Sequence, residues 1–241
     1  MNDTLAERYA RVEQRISDAC AAAGRSRDEV RLLVISKFHP AELVLDLLAL
    51  GQTAFGENKD QEASAKARAV SEALEGDPAF AGLPVPDWHF VGQLQSNKVK
   101  SVLRYASTIH SLDRDSLLTA LAKERAKLEG TAATGVFIEL NLTDDPERGG
   151  IKPEELLAFA DKVLKVDGLN LLGVMGVATL EGREDRDFET IARASENLKT
   201  VAPQARWISA GMSGDFEQAI AFGATHLRIG TAITGPRQYL T

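Results

Sequence analysis

Lys37, in Arg31-Leu-Leu-Val-Ile-Ser-Lys37-Phe-His-Pro40, is an amine set directly before a proline break, and such an amine can attack a carbonyl compound. The apolar run before it is too short for a globular helix and suits a buried strand. Alternation then puts Leu33, Ile35 and Lys37 on one face and Leu32, Val34 and Ser36 on the other. An ammonium that completes a core-facing row is costly to desolvate, which lowers its pKa and frees the nucleophile. Taken alone, the segment fits better with a lysine that ends a strand and points into water, because lysine is mostly exposed.

A second chemical signal lies in the last quarter. In Gly211-Met-Ser213-Gly-Asp215, Ser213 is placed to cap a following helix whose first amides face an anion, and phosphate is the natural guest. Gly230 would allow close backbone approach and Thr231 would donate a hydroxyl to the same anion. A capped turn without a ligand explains the pattern equally well. On the neighbouring run Leu227 and Ile229 share one face, which leaves His226, Arg228 and Gly230 on the other. If the aliphatic pair packs outward, the Arg228 guanidinium needs an inward acceptor: a ligand ring nitrogen, a ligand carboxylate, or a rim carboxylate in a salt bridge. His39, His89, His110 and His226 have no metal-ligand spacing, and His89, between Trp88 and Phe90, reads as a hydrogen-bonded core histidine. Asp113 reads as the cap of a helix starting near Asp115. Gly149 and Gly150 do not fit a dinucleotide fingerprint.

These residues need elements to bring them together. Eight β-type runs alternate with helical ones: Arg31–Ser36, Thr53–Glu57, Trp88–Gly92, Thr108–Leu112, Gly135–Leu142, Leu171–Val177, Arg206–Ala210 and His226–Gly230. Strict alternation over 241 residues predicts an α/β fold, a single closed (β/α)8 TIM barrel spanning 1–241. An extra helix, Asp3 to Ala23, precedes the first strand. The proline-containing stretch from Gly76 to Pro86 is expected to be a loop, not a domain boundary. Lys37, Asn58, Asn141, Ser213, Arg228 and Thr231 then fall at carboxyl ends of strands, the rim where barrels build active sites. The composition is 44% hydrophobic and 26% charged, with a net charge of −7, which argues against a nucleic-acid or anionic-membrane surface. The lone Cys20 lies on the apolar row Leu5, Tyr9, Val12, Ile16, Cys20 and is expected in the core. With no apolar signal core and no run of eighteen apolar residues, a cytoplasmic protein is expected.

A lysine beside a phosphate site at a barrel mouth leaves two chemistries open: a Schiff-base aldolase for a sugar phosphate, or a lysine holding pyridoxal 5′-phosphate (PLP). Ile35-Ser-Lys-Phe-His-Pro40, Phe55-Gly-Glu-Asn58, Trp88-His-Phe-Val-Gly-Gln-Leu-Gln-Ser-Asn-Lys98, Ile109-His-Ser-Leu-Asp-Arg114, Gly211-Met-Ser213 and Arg228-Ile-Gly-Thr-Ala-Ile-Thr-Gly235 together resemble the pyridoxal phosphate homeostasis proteins, also called the proline synthetase co-transcribed family. That family looks like the N-terminal barrel of alanine racemase without the second, β-rich domain.

The resemblance implies a PLP-binding barrel with the cofactor as an internal aldimine on Lys37. It places Asn58 near the ring, Ser213, Gly230 and Thr231 on the phosphate, and Arg228 opposite the pyridine nitrogen. It further implies vitamin B6 homeostasis: storage, delivery to PLP-dependent apoenzymes, or buffering, by a protein that is not itself an enzyme and works as a monomer. A PLP-dependent racemase or lyase is the alternative. Racemisation needs an acid or base on each face of the substrate, and none of Tyr9, Tyr105 and Tyr239 falls at a strand's carboxyl end. Phe38, His39, Lys59 and the loop 143–148 depart from the family pattern.

Overall fold

The computed structural model describes residues 3–128, 130–143, 145, 148–179 and 184–236. The chain runs α1 (Leu5–Ala22), β1 (Arg31–Ile35), α2 (Ala41–Ala49), β2 (Ala54–Glu57), α3 (Asp60–Gly76), β3 (Asp87–Phe90), α4 (Val99–Val102) and β4 (Ala106–Leu112). It continues through α5 (Asp115–Arg125), β5 (Thr134–Glu139), α6 (Leu156–Val163), β6 (Leu169–Met175), α7 (Glu184–Lys199), β7 (Trp207–Ser209), α8 (Phe216–Ala221), β8 (His226–Ile229) and α9 (Thr231–Thr234). All eight strands are parallel and close in sequence order, with β1 paired to β8 from Arg31↔His226 to Val34↔Ile229. The expected (β/α)8 barrel with a preceding helix is therefore the fold, and strand ends lie within three residues of those expected.

Alternation along each strand creates two interiors. Leu32, Val34, Trp88, Phe90, Ile109, Val136, Ile138, Val174, Ile208, Leu227 and Ile229 face outward and join the helices in one apolar cluster. The opposite rows face the barrel axis. Leu33 and Phe137 are fully buried there, and they share that space with His89, His110, His226, Ser209 and Arg228, all buried. The axis is therefore polar for much of its length, where barrels of this type more often stack branched aliphatic residues.

α1 starts with a reciprocal capping box between Thr4 and Glu7 and buries Val12, Ile16 and Cys20. It packs on α8 and α9, and the Arg8 Nε donates to the Ile233 carbonyl at 2.7 Å. α9 is absent from the sequence reading, which ran strand eight on to Gly230: the helix has only four residues, too few to show a helical period.

Candidate functional site

Lys37 lies two residues past the end of β1, in the turn at the carboxyl rim, and is half-buried. Its outward neighbour Ser36 donates to Glu57 Oε1 at 2.7 Å. Lys66, from α3, reaches under the same turn: its Nζ donates to the Ser36 carbonyl at 2.7 Å, to Glu57 Oε1 at 2.5 Å and to Glu62 Oε1 at 3.0 Å. The Lys66 side chain is 4% exposed and that of Glu57 0%, so this is a buried ion pair. Burial pushes the Glu57 carboxyl up, against the pull of Lys66 and Ser36, and its Oε2 has no hydrogen-bond partner. Glu62 also accepts the Phe38 amide, which holds Phe38 at φ 66, a conformation uncommon outside glycine. The Phe38 ring lies 6.0 Å from Lys37 Nζ and 5.6 Å from Lys59 Nζ. This platform was missed in the sequence, although Ala63, Lys66 and Val70 form one buried row on α3.

Asn58 follows β2. Its Oδ1 is buried without a hydrogen-bond partner, an acceptor aimed where a donor is wanted. The chain passes so close here that a Cβ on Gly92 would sit 2.2 Å from the Asn58 carbonyl oxygen.

Ser213 and Thr231 approach across the loops after β7 and β8. The Thr231 hydroxyl lies 3.5 Å from Ser213 Oγ, and the Ala232 amide is directed at the same oxygen at 3.4 Å. These contacts are long, so both hydroxyls are available to turn toward an anion. Ser213 does not cap a helix as expected. Asp215 occupies that position for α8, and its carboxylate accepts the Met212 amide at 2.6 Å, tightening the loop into a turn. Gly211 makes the turn possible: it sits at φ +90, and a Cβ would lie 2.8 Å from that of Ala219. Asp113 is likewise not a cap. Arg114 holds that position before α5, and Asp113 is paired with the Arg114 guanidinium instead.

Arg228 points inward between β7 and the end of β6. Nη1 donates to Ser209 Oγ at 2.6 Å and Nη2 to the Gly176 carbonyl at 2.9 Å, in place of a rim salt bridge. Burial brings its pKa down to about 10, with Glu139 and Asp215 opposing, so it stays charged at neutral pH. Glu139 closes the inward row of β5 after Gly135 and Phe137. Burial, with Asp113 adding repulsion, raises its pKa from 4.5 to about 7, against Arg228, Arg148 and Arg114. The native state therefore binds more protons than the unfolded one between those values, and Glu139 costs stability progressively as pH rises from about 4.5 to about 7. Glu139→Gln is expected to look more stable relative to wild type at pH 8 than at pH 5 by about 1–3 kcal/mol in urea melts. A pH-independent difference would refute the assignment.

One rim thus brings together an amine, an unsatisfied buried acceptor, a guanidinium and two loosely held hydroxyls beside a glycine. The set fits a phosphorylated heteroaromatic aldehyde: the hydroxyls and the Gly230–Thr231 turn suit the phosphate, Arg228 the ring nitrogen, Asn58 a ring substituent and Lys37 the carbonyl.

The chain matches the family described as alanine racemase, N-terminal domain, over residues 9–238. It is 38% identical over 243 aligned positions to the pyridoxal phosphate homeostasis protein of Escherichia coli (strain K12), covering 99% of each chain. Against the protein of the same name from Mycobacterium tuberculosis (strain ATCC 25618 / H37Rv) identity is 36%, over 97% of this chain and 93% of the relative. The solved structure of PipY from Synechococcus elongatus PCC7942 with PLP bound superposes with TM-score 0.76 at 30% identity, covering 91% of this chain and all of PipY. Alanine racemase from Corynebacterium glutamicum shares the fold, with TM-score 0.67 at 13% identity over 95% of this chain and 62% of the racemase.

Proposed function

Since the chain belongs to the alanine racemase N-terminal domain family and, within it, to the pyridoxal phosphate homeostasis proteins, we propose that it binds PLP at the barrel mouth through a covalent bond to Lys37. In that role it stores, buffers or delivers the cofactor. The observation that carries this reading is the arrival of Lys37, Arg228 and the Ser213–Thr231 pair at one rim from strands one, seven and eight. PipY, 30% identical, was solved with PLP bound, and the curated relatives are named for PLP homeostasis.

When bound, PLP supplies an aldehyde that amines add to and a conjugated ring that draws electrons from the carbon attached. Lys37 offers Nζ from a turn held rigid by Lys66, Glu57 and Glu62. Ser213, Thr231 and the Gly230–Thr231 backbone hold the phosphate, as loops after strands seven and eight do in many barrels. Arg228 orients the ring by donating to its nitrogen but does not hand over its proton, so electron withdrawal stays modest. That restraint suits a carrier better than a catalyst. Delivery to PLP-dependent apoenzymes in the cytoplasm is part of the same proposal; among the described residues no helix is long and apolar enough to cross a membrane.

The test is a titration of PLP into cofactor-stripped protein followed by absorbance, with wild type becoming yellow. Ser213→Ala combined with Thr231→Ala is expected to weaken uptake by at least about 100-fold, since two hydrogen bonds to a charged group are lost and each is worth about 1.5–3 kcal/mol. A wild type that stays colourless sinks the proposal, and an unchanged affinity in the double variant relocates the phosphate.

A second reading, slow racemase or lyase turnover, has one observation in its favour. Glu139 sits inward at the mouth and titrates near neutrality, as a general acid or base must. α-Deuterium incorporation from solvent into an amino acid, lost in Glu139→Gln, would support it; exchange no faster than with free PLP would end it.

A further inference from the structure

The barrel axis carries a continuous hydrogen-bonded chain from the mouth to the opposite rim. Arg228 Nη1 meets Ser209 Oγ at 2.6 Å, and Ser209 Oγ meets His110 Nδ1 at 2.8 Å. His110 Nε2 meets His89 Nδ1 at 2.9 Å, and His89 Nε2 meets Asp87 Oδ2 at 3.1 Å. Asp87 begins β3 at the amino rim, where Arg31 of β1 pairs with it at 2.6 Å and the Ser107 hydroxyl donates to its other oxygen. His89, His110, Ser209 and Arg228 are buried, whereas Arg31 and Asp87 reach solvent.

Donor and acceptor chemistry fixes the direction of every link. Burial alone would raise the Asp87 carboxyl, but the contacts of His89, Ser107 and Arg31 hold it well below the usual carboxylate range, so it only accepts. His89 Nε2 must then carry a proton. Burial keeps His89 and, more strongly, His110 uncharged, so each ring has one proton. His89 Nδ1 is therefore bare and accepts from His110 Nε2–H. The His110 Nδ1 is bare in turn and accepts from the Ser209 hydroxyl. Ser209 has then used its only proton, and its oxygen accepts from Arg228, which has no lone pair to offer. The four donor dipoles point one way, toward Asp87, and such chains polarise cooperatively.

We propose that Asp87, His89, His110 and Ser209 are positioning residues for Arg228, a one-directional hydrogen-bond wire that ties the guanidinium at the mouth to a carboxylate exposed at the far rim. Ser209, by donating to His110, becomes a better acceptor and holds Nη1 firmly, which moderates what Arg228 offers to the ring nitrogen of a bound cofactor. The last step rests on the PLP reading; the wire itself does not. A change at Asp87, across the barrel from the ligand, thus alters the mouth without touching it.

The test is side-chain nitrogen NMR on the full chain without cofactor, followed by PLP loading. In wild type at pH 7 both His89 and His110 are expected as Nε2–H tautomers with bare Nδ1. A proton on either Nδ1, or an imidazolium on either ring, overturns the wire. Asp87→Asn is expected to shift the guanidinium resonances of Arg228 and, in the loaded protein, the absorption band of bound PLP. Arg31→Gln, at a half-exposed position, gives the same shifts more weakly and serves if the first variant folds poorly. Gln52→Ala is the control: it loses two buried hydrogen bonds to Leu32 and Ala54 near the same rim and should lower the melting temperature without moving either signal. Arg228 resonances that stay put in both rim variants overturn the coupling. Correct tautomers and a moving Arg228 in a protein that takes up no PLP would keep the wire and discard the cofactor reading.

Discussion

Lys37→Ala is expected to abolish the borohydride-stable PLP adduct, reducing the labelled peptide from near stoichiometric to background. The phosphate loop and Arg228 are untouched by the change, so weak, dialysable PLP binding should persist and provide an internal control for folding. The proposed covalent bond needs an amine at the carboxyl rim, and Lys37 stands there in the turn that follows β1. Lys66 is close in the fold but spends its three donors on Ser36, Glu57 and Glu62 behind the turn. Lys59 is the informative competitor, because its Nζ and that of Lys37 approach the same Phe38 ring. Peptide mapping of the reduced protein decides between them. An adduct of undiminished yield on Lys59 in the variant would show the tether to be misassigned.

The second large effect is on stability. Lys66→Met is expected to cost about 3–5 kcal/mol at pH 8, because it leaves Glu57 buried with only the Ser36 hydroxyl for company. The sign of the pH dependence follows. Glu57 already has a raised carboxyl pKa in the native state, and without Lys66 it rises further. The native variant then holds a proton that the unfolded chain releases above about 4.5, so its stability falls as pH climbs through that window and is best preserved in acid. Urea denaturation at pH 5 and pH 8 measures this directly. Lys66→Met with Glu57→Gln should recover much of the loss, since the pair is costly to break but not to replace. A loss below about 1 kcal/mol at both pH values would show that the carboxylate reaches water. Because Glu62 also fixes the Phe38 amide, PLP uptake should fall together with stability in the single variant.

Much of this was legible in the sequence, and particular residues show why. The run Leu32 to Ile35 alternates as period two requires, with Leu32 and Val34 under the helices and Leu33 and Ile35 on the axis, and it delivers the chain to Lys37 at the carboxyl rim. Leu227 and Ile229 did face outward, which sent Arg228 inward. What failed were judgements that depend on the geometry of one turn: Ser213 and Asp113 have the residue types of helix caps, but the helices start two residues and one residue later, after Asp215 and Arg114. Partners across the barrel were out of reach for a different reason. That His110 finds His89 on one side and Ser209 on the other depends on strand stagger, including the irregular registers after Trp88 and Ile109, and no local pattern encodes stagger. Lys66 was the recoverable miss, since it lies on the buried row of its helix, where a lysine requires explanation.

The pairing of β1 with β8 has a consequence for how the protein comes into being. Those strands are separated by nearly the whole barrel, so during synthesis Ile35 leaves the ribosome roughly 10–40 s before Ile229 at about 5–20 residues per second. Throughout that interval the nascent chain displays the Lys37 amine without the Arg228 guanidinium or the Thr231 hydroxyl. With the phosphate site as proposed, an aldehyde met early would have nothing to hold its phosphate and would be lost again to water. On the proposed site, cofactor capture would thereby be a property of the finished molecule, and a truncated chain carrying the Lys37 amine would not withdraw vitamin B6 from the cell.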